Sequence, residues 1–330
     1  MSEPVDQDAT PEAIGRFRRW AAVAVALAVL GYVAYAVWKG WSETSAQLVG
    51  FSWPLYVPVL ALTAVNYGLR YFKWAYFLSV LGIRVPHRTN GWIFASGLAM
   101  VISPAKAGEV VKPWMVRQTA GAPYTRTIPA LIAERGTDGL AVVILAAFSV
   151  STYYAEATSL IFGTLAAILA IVGAIAVRPV AVGLIGLVGR IPPLAGLSHR
   201  LLDTYEATRA CLAPVPFLVT MVASLVAWGA ECVGYWLVFR GLGVDAPLDA
   251  CTFLYAFATV FGAPSPGGMG IADAALAEGA VAVLDGVDAP TALAASLLIR
   301  VATLWFGVAL GAVALLRTET VIDEARAARS

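Results

Sequence analysis

Long apolar runs alternate with short polar segments along almost the whole chain. A helix needs about 20 apolar residues to cross a bilayer, and six of the runs approach or exceed that length. We predict full membrane-spanning helices at Trp20–Trp38, Trp53–Arg70, Thr127–Val150, Ser159–Val177, Phe217–Phe239 and Pro290–Leu316. The pattern therefore predicts an all-α polytopic membrane protein with about six full transmembrane helices.

Two further apolar stretches are shorter and end at proline and glycine. Residues 89–103 stop at the segment SPAKAG, and Leu248–Ala263 stops at the segment APSPGG. One broken stretch in each half of a chain is typical of inverted repeats whose broken helices meet near the middle of the membrane. We therefore predict two re-entrant or broken helices, and paired half-helices are the alternative.

Composition and charge agree with this architecture. The chain is 60% hydrophobic and 13% charged, whereas soluble domains carry about 25% charged residues. If the N-terminus is cytoplasmic and both short stretches re-enter, 18 of the 22 Lys and Arg residues fall in cytoplasmic segments, as the positive-inside rule requires. Those segments are 1–19, 70–88, 104–126, 178–215 and 317–330.

These boundaries predict two membrane repeats between cytoplasmic tails. The first repeat covers 20–177 with a re-entrant element at 89–112, and the second covers 216–316 with a re-entrant element at 248–270. Between them, the linker 178–215 is expected to hold one short amphipathic helix. The run Trp20–Trp38 follows three arginines but is too long for a signal peptide and precedes no cleavage site, so we interpret it as a retained helix.

Several classes of function receive no support. A net charge of +1 gives no case for nucleic acid binding. The cysteines Cys211, Cys232 and Cys251 lack disulfide or metal spacing, and only two histidines are present. No phosphate-binding GxxxxGK[ST] loop occurs. We therefore expect no cofactor and no metal.

The segment SPAKAGEVVK carries the first candidate site. Pro104 and Gly108 break the helix, which frees backbone N–H groups that can hold an anion. Lys106 and Lys112 add positive charge, and Glu109 is placed to orient a cation or to carry a proton. The alternative is an ordinary cytoplasmic loop whose lysines touch anionic lipid headgroups.

A second candidate lies inside a predicted span. Ionisable groups in an apolar interior are costly and often functional. Glu134 and Asp138 of AERGTDG share one helix face, and Arg135 can pair with Asp138 three residues later. The alternative is a self-neutralised cluster that only fixes helix packing.

Other charges extend this polar set. Arg300 lies ten residues into the last apolar block, so it needs an acidic partner or a phosphate, and Glu231 and Asp273 are the candidate partners. Arg70 and Lys73 in LRYFKW form a basic and aromatic group, for which the alternative is a membrane-interface anchor.

Four motifs in order resemble the lysylphosphatidylglycerol synthase transmembrane, flippase-like family: LRYFKW, SPAKAGEVVK, AERGTDG and APSPGGMGIADAAL. The last motif departs from the family because Asp273 stands where glutamate is usual, which shortens the reach towards Arg300. The positions implied by the resemblance are Arg70, Lys73, Pro104, Lys106, Gly108, Glu109, Lys112, Glu134, Arg135, Asp138, Pro266, Gly267, Gly268, Asp273 and Arg300.

The resemblance implies a lipid flippase-like transporter in a bacterial or archaeal cytoplasmic membrane, without the aminoacyl-transferase domain and hence not an enzyme. An anionic phospholipid or polyprenyl-phosphate lipid would bind Lys106, Arg135 and Lys112. The broken tips, including Pro264, would act as gates, and Arg300 would receive the phosphate on the outward path. The alternatives are an enzyme acting on a lipid phosphate and a scaffold for a glycosyltransferase or another lipid-modifying enzyme. A homodimer is also left open.

Overall fold

The computed structural model describes Val23 and residues 41–103, 108–148, 150–153, 155–176, 178–189 and 195–327. These residues are helical or in turns, and no strand occurs among them. The N-terminal tail 1–19, the predicted span Trp20–Trp38 apart from Val23, and the site residues Pro104 and Lys106 lie outside the described residues.

The described ranges contain fourteen α-helices of ten or more residues. They are α1 (Trp41–Gly50), α2 (Tyr56–Val80), α3 (His87–Ala99), α4 (Val111–Ala120), α5 (Tyr124–Ala147), α6 (Thr158–Ala176), α7 (Arg178–Gly189), α8 (Ala195–Cys211), α9 (Pro214–Gly241), α10 (Leu248–Gly262), α11 (Ile271–Val283), α12 (Ala289–Arg300), α13 (Phe306–Leu316) and α14 (Thr318–Ala327). Short helical turns lie at Trp53–Leu55, Met100–Ile102, Val150–Tyr153, Ala155–Ala157 and Pro266–Gly268, and a π-helical turn at Val301–Trp305 joins α12 to α13.

Two helical segments are long and apolar enough to cross a bilayer on their own. They are α9 and the continuous segment Ala289–Leu316, each of 28 residues, and they contain the predicted spans Phe217–Phe239 and Pro290–Leu316. A third candidate joins Glu43–Gly50 to Trp53–Val80 across a bend of 79°. The protein is thus an all-helical membrane protein over the described ranges, and the count of six spans stays a prediction.

Each of the two short apolar stretches forms one arm of a helical hairpin. α3 passes through the turn at Met100–Ile102 into extended Ser103, and α4 begins at Val111. α10 ends at Gly262, and the chain turns through Pro266–Gly268 before α11. Gly267, Gly268 and Gly270 adopt φ angles of 60°, 75° and 79°, a region that residues with a Cβ avoid.

The tips of the two hairpins touch. A Cβ placed on Gly267 would lie 3.5 Å from the Cα of Ile102. Ile102 also packs with Leu304 and Val308 of the last helical segment, together with Met269 from the second tip. The two broken elements, 165 residues apart at these positions, therefore form one contact region.

The same order of elements occurs twice, as a long helix, a hairpin and another long helix. The first set is α2, α3/α4 and α5, and the second is α9, α10/α11 and α12–α13. α2 packs along α9, while α5 packs against α10 and α13 packs against α3. The last contact is backbone to backbone, because a Cβ on Gly311 would lie 2.2 Å from the backbone nitrogen of Ala99.

The linker between the sets differs from the single amphipathic helix that we expected. The apolar segment RPVAVGLIGLVG forms a helix of its own, α7, before α8. α8 packs against α5 and buries Tyr205 and Cys211, while Arg178 Nε donates to Glu206 Oε1 at 2.8 Å and ties α7 to α8. The linker therefore contains two helices, and α8 uses apolar residues for packing.

Candidate functional site

Seven charged side chains from three parts of the chain meet between α2, α4 and α5. We call this set the charged cluster, and it consists of Arg70, Lys73, Glu109, Lys112, Glu134, Arg135 and Asp138. Six of the seven are buried, and Arg135 is the exception. Four cations face three carboxylates, so the charged cluster carries one positive charge in excess when all members are ionised.

Lys112 and Glu134 form an enclosed pair. Lys112 Nζ lies 2.5 Å from Glu134 Oε2 and 4.5 Å from the centre of the Trp74 ring. Gly97 makes room for the lysine stem, because a Cβ there would lie 2.8 Å from Lys112 Cδ. The burial of both charges is tolerable because each has an opposite charge within hydrogen-bond distance.

Arg135 is the member of the charged cluster with the greatest exposure. Its Nη2 lies 2.5 Å from Glu134 Oε1 and 3.2 Å from Asp138 Oδ2, and its Nη1 lies 3.5 Å from Glu109 Oε1. The side chain is 23% exposed, against 3% for that of Glu109. Arg135 is therefore held in place from behind and is accessible from one side.

The third part of the charged cluster joins α2 to α5 and α9. Lys73 Nζ donates to Asp138 Oδ1 and, at 2.5 Å, to Ser224 Oγ, which itself lies 3.2 Å from Asp138 Oδ1. Arg70 Nε lies 3.7 Å from Asp138 Oδ2. Sequence reasoning missed Ser224, since a lone serine in an apolar helix carries no signal of its own.

A cavity of about 560 Å³ lies beside the charged cluster, and we call it the large cavity. Glu109, Arg135 and Asp138 line it on the polar side, and apolar residues such as Val143 and Ile168 line the rest. Its volume falls within the range of about 300 to 1,000 Å³ that is usual for small-molecule sites. The large cavity thus joins an apolar space to an accessible guanidinium group.

Glu109 stands out within the charged cluster. Neither of its carboxylate oxygens has a hydrogen-bond partner in the described part of the chain, although both are buried. Among the described residues, its ion-pair partners are the Nη1 of Arg135 at 3.5 Å and the Nζ of Lys112 at 3.7 Å. The carboxylate therefore retains hydrogen-bonding capacity at the edge of the large cavity.

Arg300 is held at the tip of the second hairpin. Its Nε lies 2.8 Å from Asp273 Oδ1, and its Nη2 donates to the carbonyl oxygen of Gly267. Asp273 also accepts from the backbone N–H of Gly270 at 2.9 Å, which caps α11. The shorter arm of aspartate at this position therefore does reach Arg300, and Asp273 is the ion-pair partner chosen from the two candidates.

Glu231 belongs to the same region through a different contact. The Tyr255 hydroxyl donates to Glu231 Oε2 at 2.5 Å, a partner that sequence reasoning did not identify. Both residues line a second cavity of about 80 Å³, together with Arg70, Arg300 and the tip glycine Gly268. We call it the small cavity. The π-helical turn Val301–Trp305 follows Arg300 directly, and such turns are frequent at functional sites.

The predicted site residues thus divide into two groups. The charged cluster brings together all the charged predicted residues from 70 to 138 that the structure describes, and the second hairpin brings together Asp273, Arg300 and Gly267. Among the described residues, no group of three or more His, Cys, Asp or Glu residues is suited to hold a metal ion. The carboxylates of the charged cluster instead contact lysine and arginine.

Comparison with known proteins places this arrangement in a family. The family described as the lysylphosphatidylglycerol synthase TM region matches residues 19–311. The chain belongs to this family. It is also 25% identical over 310 residues to a UPF0104 membrane protein of Methanothermobacter thermautotrophicus, covering 87% of this chain and 90% of that protein. No solved structure matches the chain.

Proposed function

We propose that the protein is a flippase-like transporter that moves an anionic phospholipid or a polyprenyl-phosphate-linked lipid between the leaflets of the cytoplasmic membrane. The observation that carries this proposal is the accessible Arg135 at the junction of a buried charged cluster and a large, mostly apolar cavity. A lipid phosphate needs a cation, and its hydrocarbon chains need apolar surface. The two are adjacent here.

The charge balance of the cluster supports a phosphate ligand. Within the cluster, four cations outnumber three carboxylates, and Arg135 is the member with the greatest accessible surface. Guanidinium groups bind phosphate oxygens in a two-pronged geometry. A lipid phosphate would therefore meet Arg135, the one member of the cluster that is not buried.

The matching order of elements supports two repeats of opposite orientation. In each set, an acid near the start of the hairpin's second arm pairs with an arginine on the following helix. Glu109 and Arg135 form this pair in the first set, and Asp273 and Arg300 form it in the second. Broken helices that meet in this way, one from each repeat, are the usual architecture of an alternating-access transporter.

The proposed placement in the membrane follows the distribution of basic residues. Both termini would be cytoplasmic, and the two hairpins would re-enter from opposite sides. Lys106, as the sequence predicts, would add a further cation for the arriving headgroup. The two touching tips would then separate the cytoplasmic from the external entrance.

The geometry gives less support to an enzyme that uses a metal. Glu109, Glu134 and Asp138 would be its candidate ligands, but lysine or arginine lies within 4 Å of each of them. Cations in those positions repel a divalent ion. A metal-dependent reaction would need these ion pairs to separate.

A flip assay with reconstituted protein tests the proposal. Fluorescent phosphatidylglycerol and fluorescent polyprenyl phosphate would be placed in liposomes, and an impermeant quencher would report the fraction that has changed leaflet. The Arg135→Gln variant is compared with Arg126→Gln, which removes an exposed arginine from the same helix. We expect the transport rate to fall at least tenfold in Arg135→Gln, which corresponds to a loss of about 1.4 kcal/mol or more in interaction with the lipid. Transport should persist in Arg126→Gln.

Two results would overturn the proposal. One is the absence of transport of either lipid by the unaltered, folded protein, with or without a proton gradient. The other is equal transport by the two arginine variants, since phosphate binding at Arg135 would then have no role. In the first case, assembly with a membrane glycosyltransferase or turnover of a lipid phosphate would be measured next.

A further inference from the structure

The two cavities share a wall. Trp228, Thr259 and Ala263 each line both the large cavity and the small cavity. Trp228 comes from α9, Thr259 lies in the last turn of α10, and Ala263 directly follows α10. A headgroup that passes from Arg135 to Arg300 must therefore pass this wall.

Trp228 lies midway between the two groups of charges along α9. Ser224, which contacts Lys73 and Asp138, is four residues earlier, and Glu231, which contacts Tyr255, is three residues later. Residues at these spacings share one face of a helix. Trp228 is also at the middle of the 28-residue helix, hence near the middle of the membrane if α9 spans it.

The indole N–H of Trp228 is buried without an acceptor. The side chain is 8% exposed, and Nε1 has no hydrogen-bond partner in the part of the chain that the structure describes. Buried indole N–H groups usually have a partner, and native proteins leave few such donors unpaired. By contrast, Trp236, two turns later on α9, donates to the carbonyl oxygen of Ala246 at 3.0 Å.

A second donor faces the same passage. Arg70 lines the small cavity, and its Nε is likewise buried without a hydrogen-bond partner among the described residues, at 3.7 Å from Asp138 Oδ2. Because Asp138 lines the large cavity, the pair of Arg70 and Asp138 spans the region between the cavities. One N–H donor in the shared wall and one beside the small cavity suit a ligand rich in acceptor oxygens.

From these observations we infer that Trp228 is a headgroup-binding residue of the passage, whose indole N–H donates to a phosphate oxygen as the lipid moves between the two cavities. The inference rests on the proposed transport function and adds an intermediate binding site to the path of the headgroup. The ring of Trp228 forms part of the wall between the two cavities. Its N–H would donate a hydrogen bond to the headgroup after the headgroup has left Arg135 and before it reaches Arg300.

The first test removes the N–H and keeps a ring. Trp228→Phe is compared with Trp236→Phe, which removes a donor that already has a backbone acceptor. Both proteins are reconstituted with fluorescent phosphatidylglycerol and polyprenyl phosphate after their thermal stability has been measured. We expect Trp228→Phe to slow transport about tenfold, as for one hydrogen bond to a charged group, and Trp236→Phe to transport at a rate close to that of the unaltered protein.

The second test observes the N–H directly. The chain has 10 tryptophans, so ¹⁵N-indole labelling gives a small set of NMR signals, and the signal that Trp228→Phe lacks belongs to Trp228. Titration with short-chain phosphatidylglycerol in micelles should shift the Trp228 signal and leave the Trp236 signal in place. This readout does not depend on transport.

The possible results distinguish a wrong role for Trp228 from a wrong transport function. Transport by the unaltered protein with equal rates in both phenylalanine variants overturns the inference and leaves the transport function intact. An unmoved Trp228 signal at lipid concentrations that saturate binding also overturns it. Absence of transport by the unaltered protein overturns the proposed function together with this inference.

Discussion

The pair of Lys112 and Glu134 offers a quantitative check of the charged cluster. At a separation of 2.5 Å and an effective dielectric constant of about 20, their Coulomb attraction is about 7 kcal/mol. Most of this is offset by the cost of removing both charges from water. What a substitution measures is therefore the cost of leaving one buried charge with fewer partners.

Each single substitution should destabilise the protein, but at the lower end of the usual range. Removal of one partner from a buried pair typically costs about 3 to 5 kcal/mol. After Lys112→Met, Glu134 still has Arg135 at 2.5 Å, and after Glu134→Gln, Lys112 still has Glu109 at 3.7 Å. We therefore expect a loss in the free energy of unfolding of about 3 kcal/mol for each variant.

The double variant should cost much less than the sum of the two. Once both charges are removed, neither remains buried without its partner, so we expect a total loss of about 4 kcal/mol and a coupling energy of about 2 kcal/mol. The assay is unfolding by titration with sodium dodecyl sulfate in mixed micelles, followed by circular dichroism. The control cycle combines Glu134→Gln with Arg126→Gln, which should be additive because Arg126 is exposed and two turns away.

A coupling energy below about 0.5 kcal/mol between Lys112 and Glu134 would refute this reasoning, because distant and independent sites show values of that size. It would mean that the two side chains do not interact in the folded protein in micelles. A negative coupling energy, with the double variant less stable than the sum of the single variants, would refute it as well.

Three further predictions concern the hairpins. Gly311→Ala should destabilise the protein by about 3 kcal/mol, because the new Cβ would overlap the backbone of α3. Gly68→Ala should be tolerated, since a Cβ there meets no atom within 4 Å. Unfolding titrations of both variants check this prediction. Arg300→Lys should slow lipid transport about tenfold, because lysine cannot hold both Asp273 and the Gly267 carbonyl as the planar guanidinium does, and the flip assay would show it. Ser265→Cys should react with an impermeant thiol reagent that is added outside the cell. The three native cysteines are buried and should stay unlabelled. Labelling from the cytoplasm alone would contradict the proposed topology.

The sequence was most informative where charge interrupts apolar runs. A buried ionisable group is so costly that Glu134 and Asp138 had to be paired or functional, and the structure indeed buries both against cations. The short apolar stretch Leu248–Ala263 was also well placed, since α10 covers Leu248–Gly262. Prolines and glycines end helices for local steric reasons, so their effect can be read without knowledge of the tertiary structure.

Pairings between distant residues could not be derived in the same way. Arg300 had two candidate acids, and the choice of Asp273 depends on the turn at Gly267 that brings α11 back to α12. Tyr255 and Trp228 carry aromatic rings that usually serve packing in apolar helices. Tyr255 differs from an ordinary core residue because its hydroxyl contacts Glu231. Trp228 differs because it lies between two cavities and its indole nitrogen has no hydrogen-bond partner among the described residues.

The two acid–arginine pairs differ in a way that bears on the transport mechanism. Arg300 and Asp273 are 2.8 Å apart beside a cavity of about 80 Å³, whereas Arg135 and Glu109 are 3.5 Å apart beside a cavity of about 560 Å³. The two sets of helices with the same order, α2 to α5 and α9 to α13, thus differ in the spacing of the acid–arginine pair and in the volume of the adjoining cavity. Under alternating access, such inequality is required, because one half must be open to its ligand while the other is closed. If the proposed transport function is right, this structure would be the state that receives the headgroup at Arg135, and in the opposite state the space beside Arg300 would enlarge as the space beside Arg135 contracts. Because the hairpin tips touch in this structure, such an exchange would have to change the contact between Gly267 and Ile102.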